Sequence, residues 1–83
     1  MKPIVKVTWV DSCSHSAWKS SDYVAGIAQC VTVGFLHEDM ESHVTVALSL
    51  HHDDVKVVEI SDVISIPRAA VLSITPLDVV EKL

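Results

Sequence analysis

The fold is decided by residues 28–51, AQCVTVGFLHEDMESHVTVALSLH, in which two valine-rich runs flank an acidic connection. In the second run, His43 to His51, apolar side chains alternate with polar or small ones, the pattern of a half-buried β-strand. The first run, Ala28 to His37, is apolar on both faces, and Gly34 within it predicts a bend or a bulge. Residues 38–42 have the length of a hairpin connection. The stretch therefore predicts two antiparallel strands.

Further strands are predicted on both sides of this pair. Before it, the strand Ile4 to Val10 alternates Val5, Val7 and Trp9 on one face, and residues 11–27 follow as a long loop with one helical turn near residues 22–25. After it, residues 55–66 form one bent strand or two short ones. The chain then makes a 3₁₀ turn at residues 67–70 and a short closing strand at 71–75, which Pro76 ends, before a tail at 77–83.

Strands this short in an 83-residue chain bury a shared face only by curling into a barrel, which also removes exposed edges. The prediction is an all-β single domain over residues 1–83, a small five-stranded antiparallel barrel with one long loop after the first strand.

Composition limits the function classes. A net charge of −5 at pH 7 disfavours general nucleic-acid binding. No run approaches the length of a membrane span and no signal segment is visible, which predicts a cytoplasmic protein. About 60–65% of the unfolded surface is buried in so short a chain. With a mean hydropathy of +0.41, the remaining apolar surface predicts a homo-oligomer.

The segment from Trp9 to His15 holds the residue types of a nucleophile–base pair, with Cys13 and His15 beside Asp11. Loop shaping by Asp11, which accepts backbone N–H groups, is the stronger interpretation. A zinc site would need Cys30 as well, but no Cys-x-x-Cys pair is present. We therefore predict no catalytic residue, no metal and no cofactor, and whether Cys13 and Cys30 form a disulfide stays open.

The loop also carries two large aromatic side chains, Trp18 and Tyr23, in a serine-rich stretch. Such residues either cover the open end of a barrel or anchor a partner. The predicted ligand- or partner-binding residues are Trp18, Tyr23, Asp11, His15, Lys19 and Arg68.

Two segments resemble the small barrels of the SH3-like and Sm-like type. Thr32 to Asp39 with Val44 to Leu48 resembles the Sm-like second strand, turn and third strand, and Val63 to Pro67 with Val71 to Ile74 resembles the closing strands. Sm proteins open with a helix, whereas this chain opens with a strand. Their RNA-binding residues are not recognisable here, so the resemblance implies a fold and no RNA binding.

The chain also resembles short uncharacterised bacteriophage accessory proteins. The shared pattern is Trp9-x-Asp11-Ser12, a second tryptophan at Trp18, the run Cys30 to Leu36, and the closing residues Ile64, Ile66, Pro67 and Ile74. The resemblance implies an accessory protein that works in a host's cytoplasm, and it implies no activity. The leading hypothesis is a non-enzymatic binding protein that counters host defence by binding a host protein or a small anionic, nucleotide-like signal. A structural virion or assembly component, or a small metal- or thiol-dependent enzyme, is the alternative.

Overall fold

The computed structural model describes residues 2–12, 14, 16–24 and 26–78. Five strands and one 3₁₀ turn form a single antiparallel sheet in the order β4-β3-β2-β1-β5. The elements, in chain order, are β1 (Ile4–Asp11), β2 (Ala28–Asp39), β3 (His43–His52), β4 (Val57–Pro67), the 3₁₀ turn (Arg68–Ala70) and β5 (Val71–Leu77). The all-β prediction, the five strands and the 3₁₀ turn are confirmed. The described residues of β4 and β5 form the two edges of the sheet and do not pair with each other.

β2 is shared between two halves of the sheet. Its first part, residues 28–35, pairs with β1, which also pairs with β5. Its second part, residues 35–39, pairs with β3, which pairs with β4. Gly34 lies where the partners change, and a Cβ atom there would lie 2.6 Å from the carbonyl oxygen of Ala47. Glycine is therefore required because the β3 backbone approaches closely. The pairing of β2 with β3 shifts register between Leu36 and Glu38, whereas the sequence predicted a bend or bulge at Gly34.

One small cluster forms the core. Val5, Val7, Val44, Val46 and Ile66 are its buried members. Six partly buried side chains pack against this cluster. They are Trp9, Leu36, Ile64, Ala70, Val71 and Ile74. Both edge strands, β4 and β5, therefore contribute side chains to the same core. Trp9 is half-buried, as its alternation with Val5 and Val7 predicts, and its Nε1 donates to Oγ1 of Thr32 at 2.9 Å.

Several predicted boundaries were wrong for identifiable reasons. Asp11 belongs to β1, where it pairs with Ala28, so the loop begins one residue later. Residues 57–67 form one strand, which is one of the two predicted alternatives, but it begins at Val57 and not at residue 55, with Asp62 at φ 54 near its middle. Pro76 does not end β5, which runs to Leu77. Proline is tolerated there because β5 is an edge strand and needs no N–H donor on its outer side.

Candidate recognition site in the loop after β1

The loop leaves the sheet from a fully paired stem. β1 and β2 remain in register as far as Asp11 and Ala28, so residues 12–27 start and end side by side. At the base, the backbone N–H of Ser12 donates to Oδ1 of Asp11 at 2.8 Å. Asp11 therefore has the loop-shaping role that the sequence predicts, at the point where β1 ends.

A tight turn shapes the far part of the loop. Ala17 has a φ of 72°, in the left-handed region, and the chain bends there just before Trp18. The N–H of Tyr23 then donates to the carbonyl oxygen of Ser20 at 2.9 Å. The Ser20 hydroxyl donates to the carboxylate of Asp22, and this hydrogen bond lowers the pKa of Asp22 below its ordinary value. The described residues here form this β-turn in place of the predicted helical turn, of which Ala25 lies outside them.

Lys19 and Tyr23 are in contact at this turn, and Trp18 directly precedes Lys19 in the chain. The Lys19 Nζ lies 5.4 Å from the centroid of the Tyr23 ring, within the range of a cation–π contact. Trp18 has a side chain exposed to 101% of its reference area, so it does not cover the core. The alternative in which Trp18 covers the barrel end is wrong. The turn instead presents an indole, a cation and a phenol ring to solvent.

Arg68 does not join this group. Its Nη2 and Nε donate to the carbonyl oxygen of Met40 at 2.6 and 3.2 Å, and its Nη2 also binds the carboxylate of Asp39. The N–H of Arg68 donates to the carbonyl oxygen of Ser42. These contacts fasten the 3₁₀ turn to the connection between β2 and β3. The loop starts from the opposite end of β2, roughly 36 Å away along the strand.

The two cysteines and His15 do not form a described site. His15 was predicted to bind a ligand, and both it and Cys13 lie outside the described residues. Cys30 is half-buried in β2, with its Sγ 4.0 Å from the carbonyl oxygen of Ala28. Across residues 2–12, 14, 16–24 and 26–78, no three histidine, cysteine or acidic side chains are grouped so that they could hold a metal ion.

A second polar region lies around the connection from β3 to β4. Oδ1 of Asp53 accepts the N–H groups of Val55 and Lys56, both at 2.8 Å. These two bonds hold the pKa of Asp53 below its ordinary value. Beside them is an open pocket of about 150 Å³ lined by Leu50 and residues 52–57. No residue spacing in the sequence signals such a concavity, since it arises from the path of the turn.

Two histidines on the sheet face acidic partners. Nε2 of His43 lies 3.4 Å from Oε1 of Glu38, and Nδ1 of His51 lies 3.1 Å from Oε1 of Glu59. The pKa of Glu38 is lowered, first by a hydrogen bond from Thr45 and then by His43. The His51–Glu59 pair is exposed and the His43–Glu38 pair is half-buried, so neither forms an enclosed acid–base site.

No family model, curated protein or solved structure matches the chain. None of the described residues form a helix with the length and apolarity that crossing a bilayer requires.

Proposed function

We propose that this chain is a non-enzymatic binding protein that uses the loop of residues 12–27 as its recognition element. The observation that carries the proposal is the fully exposed indole of Trp18, next to the contact between Lys19 and Tyr23. Tryptophan and tyrosine are the residue types most often found as anchors in interfaces, because they bury a large area on binding. A stem of paired strands holds the loop at one end of the sheet.

The proposed target is a host protein or a small anionic, nucleotide-like signal, bound by a phage accessory protein in the host cytoplasm to counter host defence. This assignment follows the resemblance to bacteriophage proteins and the chemistry of the turn. A base or an aromatic side chain would stack on Trp18, and Lys19 would meet an anionic group. Arg68 is left out of this version of the site, because its side chain binds Asp39 and Met40 at the other end of β2.

The proposed fold is a small barrel of the SH3-like or Sm-like type. The strand order β4-β3-β2-β1-β5 and the 3₁₀ turn between β4 and β5 support this proposal. The bend at Gly34 and the shared core support it as well, since a barrel of this size needs a strand that serves both halves of the sheet.

We also propose that the protein is a homo-oligomer. The chain exposes 6487 Å², whereas a compact monomer of 9.1 kDa exposes about 4,900 Å². Its radius of gyration is 17.0 Å, against about 12 Å for a compact domain of this length. The exposed loop accounts for part of the excess area. The rest includes valine and leucine side chains on the strands, which association would cover.

The proposed function is tested with Trp18→Ala in an affinity pull-down from host cytosol, read by native mass spectrometry. The unaltered protein should retain a host protein or a small anionic ligand, and Trp18→Ala should lose it while its melting temperature stays within about 2 °C. Trp9→Ala is the matched control, because Trp9 packs against the core and its loss should lower stability by about 3–5 kcal/mol. Equal retention of the target by unaltered protein and Trp18→Ala would contradict the proposal.

A further inference from the structure

The connection between β2 and β3 places a serine, a histidine and a glutamate in one series of contacts. Oγ of Ser42 lies 2.7 Å from Nδ1 of His43, and Nε2 of the same ring lies 3.4 Å from Oε1 of Glu38. A nucleophile next to one ring nitrogen and a carboxylate next to the other is the arrangement by which proteins activate a serine, whatever the order of the residues in the chain.

The register of the sheet holds the Glu38 carboxylate in place. Glu38 pairs with Thr45 on β3, and Thr45 pairs with Ser65 on β4, so the three side chains share one face of the sheet. Thr45 is 2% exposed, and its Oγ1 lies 2.8 Å from Oγ of Ser65. A hydrogen bond from Thr45, followed by one from His43, lowers the pKa of Glu38. Glu38 is therefore ionised at neutral pH.

The carboxylate of Glu38 determines which ring nitrogen of His43 carries the proton. An ionised carboxylate only accepts hydrogen bonds, so Nε2 of the neutral ring donates to it and Nδ1 has no proton. Nδ1 then accepts a hydrogen bond from the Ser42 hydroxyl. Ser42 is exposed, whereas His43 is half-buried. The hydroxyl is thus open to a reagent while the sheet holds the base that would receive its proton.

Backbone contacts fix the turn on which Ser42 lies. The N–H of Met40 donates to the carbonyl oxygen of His43 at 2.9 Å, and the N–H of Arg68 donates to the carbonyl oxygen of Ser42 at 3.0 Å. The guanidinium of Arg68 also binds the carbonyl oxygen of Met40. A hydroxyl and a base that are already held in contact lose less freedom when they react, which favours the reaction.

We propose that Ser42 is an acyl-accepting nucleophile, with His43 as its general base and Glu38 as the positioning residue. The acyl donor is an ester or thioester with a good leaving group. Ser42 lies in an exposed turn, where water stabilises the developing oxyanion less well than an enclosed site would, so the donor itself has to be reactive. This site goes beyond the proposed binding function and does not depend on it.

The reaction transfers one acyl group to the chain. Oγ of Ser42 attacks the carbonyl carbon of the donor, and the hydroxyl proton moves to Nδ1 of His43. The bond between that carbon and the leaving oxygen or sulfur then breaks, and the leaving group takes the proton from Nδ1. The products are acylated Ser42 and a free alcohol or thiol, so no oxidant, reductant or further reactant is consumed.

The test uses p-nitrophenyl acetate as the acyl donor and locates the acetyl group by peptide mass spectrometry after a brief exposure and an acid quench. Acetylation of Ser42 should be at least about 100-fold faster than that of Ser49, which is exposed on β3 and pairs with Ser61. Equal rates at the two serines would overturn the inference.

The base is tested with a matched pair of histidine variants. His43→Gln should lower the acetylation rate of Ser42 by about 100-fold. His51→Gln is the control, since His51 also contacts a glutamate, Glu59, on the sheet, and it should leave that rate unchanged. An unchanged rate in His43→Gln would overturn the inference. Trp18→Ala should be acetylated at the unaltered rate, which separates this test from that of the loop.

A second measurement uses the unaltered protein, so it does not depend on variants that fold. Nitrogen–proton correlation spectra of isotope-labelled protein should show the neutral ring of His43 with its proton on Nε2. A proton on Nδ1 would overturn the inference, because Ser42 would then accept the hydrogen bond instead of donating it. In Glu38→Gln the amide donates as well as accepts, so the share of the Nε2–H form should fall and the acetylation rate with it. No change in either would overturn the positioning role of Glu38.

Discussion

At the scale of single residues, Gly34 is a position where the fold leaves no room for a Cβ atom. A Cβ atom at this position would lie 2.6 Å from the Ala47 carbonyl oxygen and 2.7 Å from Cγ1 of Val46. The nearer atom belongs to the backbone of β3, which can move only if the paired strands move with it. We expect Gly34→Ala to lower the free energy of unfolding by about 1–3 kcal/mol, measured by denaturant titration.

Gly26→Ala is the control for this substitution. No atom lies within 4 Å of a Cβ atom built at Gly26, and its backbone is not in the left-handed region. Its stability should therefore stay the same or rise slightly. Equal midpoints for Gly34→Ala and the unaltered protein would show that β3 does not approach β2 as closely as described.

The contacts of the Arg68 side chain predict a role in stability. Because its guanidinium binds the Met40 carbonyl oxygen and the Asp39 carboxylate, Arg68→Ala should lower the free energy of unfolding by about 1 kcal/mol. Binding of a target by the loop should be unaffected. Lys6→Ala removes the same charge from an exposed position on β1 and should cost less. A loss of target binding in Arg68→Ala with unchanged stability would return Arg68 to the recognition site.

At the scale of elements, the connection between β3 and β4 depends on the ionised form of Asp53. Its carboxylate accepts the N–H groups of Val55 and Lys56, which lowers its pKa below the ordinary value of 3.8. A group with a lowered folded-state pKa stabilises the fold above the ordinary value, and this contribution is lost as the pH falls through the folded-state value. We expect the turn to loosen below about pH 4.

This expectation is checked by hydrogen exchange at the amides of Val55 and Lys56. Their protection, corrected for intrinsic exchange rates, should fall between pH 5 and 3 in the unaltered protein. In Asp53→Ala it should already be low at pH 5 and should change little with pH. Protection in the unaltered protein that is independent of pH over this range would contradict the role of Asp53.

At the scale of the whole molecule, charge controls solubility. The net charge is −5 at pH 7 with five neutral histidines, and the isoelectric point is about 5.3. The net negative charge falls as the pH approaches the isoelectric point, so the repulsion between molecules falls as well. We expect turbidity at high protein concentration to peak near pH 5.3 and to disappear at pH 8. A clear solution across the whole interval would contradict this expectation.

The local patterns of the sequence determined much of the fold. Alternation in residues 43–51 predicted β3, and the face shared by Val5, Val7 and Trp9 predicted the side of β1 that meets the core. The 3₁₀ turn after Pro67 was also predictable, because proline favours such a turn. These features depend on side-chain period and backbone chemistry, both of which can be read along a single strand.

The tertiary structure decided what depends on distant neighbours. Pro76 fits inside β5 only because that strand lies at an edge of the sheet. The Arg68 guanidinium binds Asp39 only because the 3₁₀ turn contacts the connection that follows β2. The sequence placed Trp18 either on the core or in solvent, and its full exposure resolved that choice. Likewise, alternation made Val46 and Leu48 equivalent, although one is buried and the other is not. The period of a strand specifies which face a side chain occupies. Only the packing of other strands determines which side chains on that face are buried.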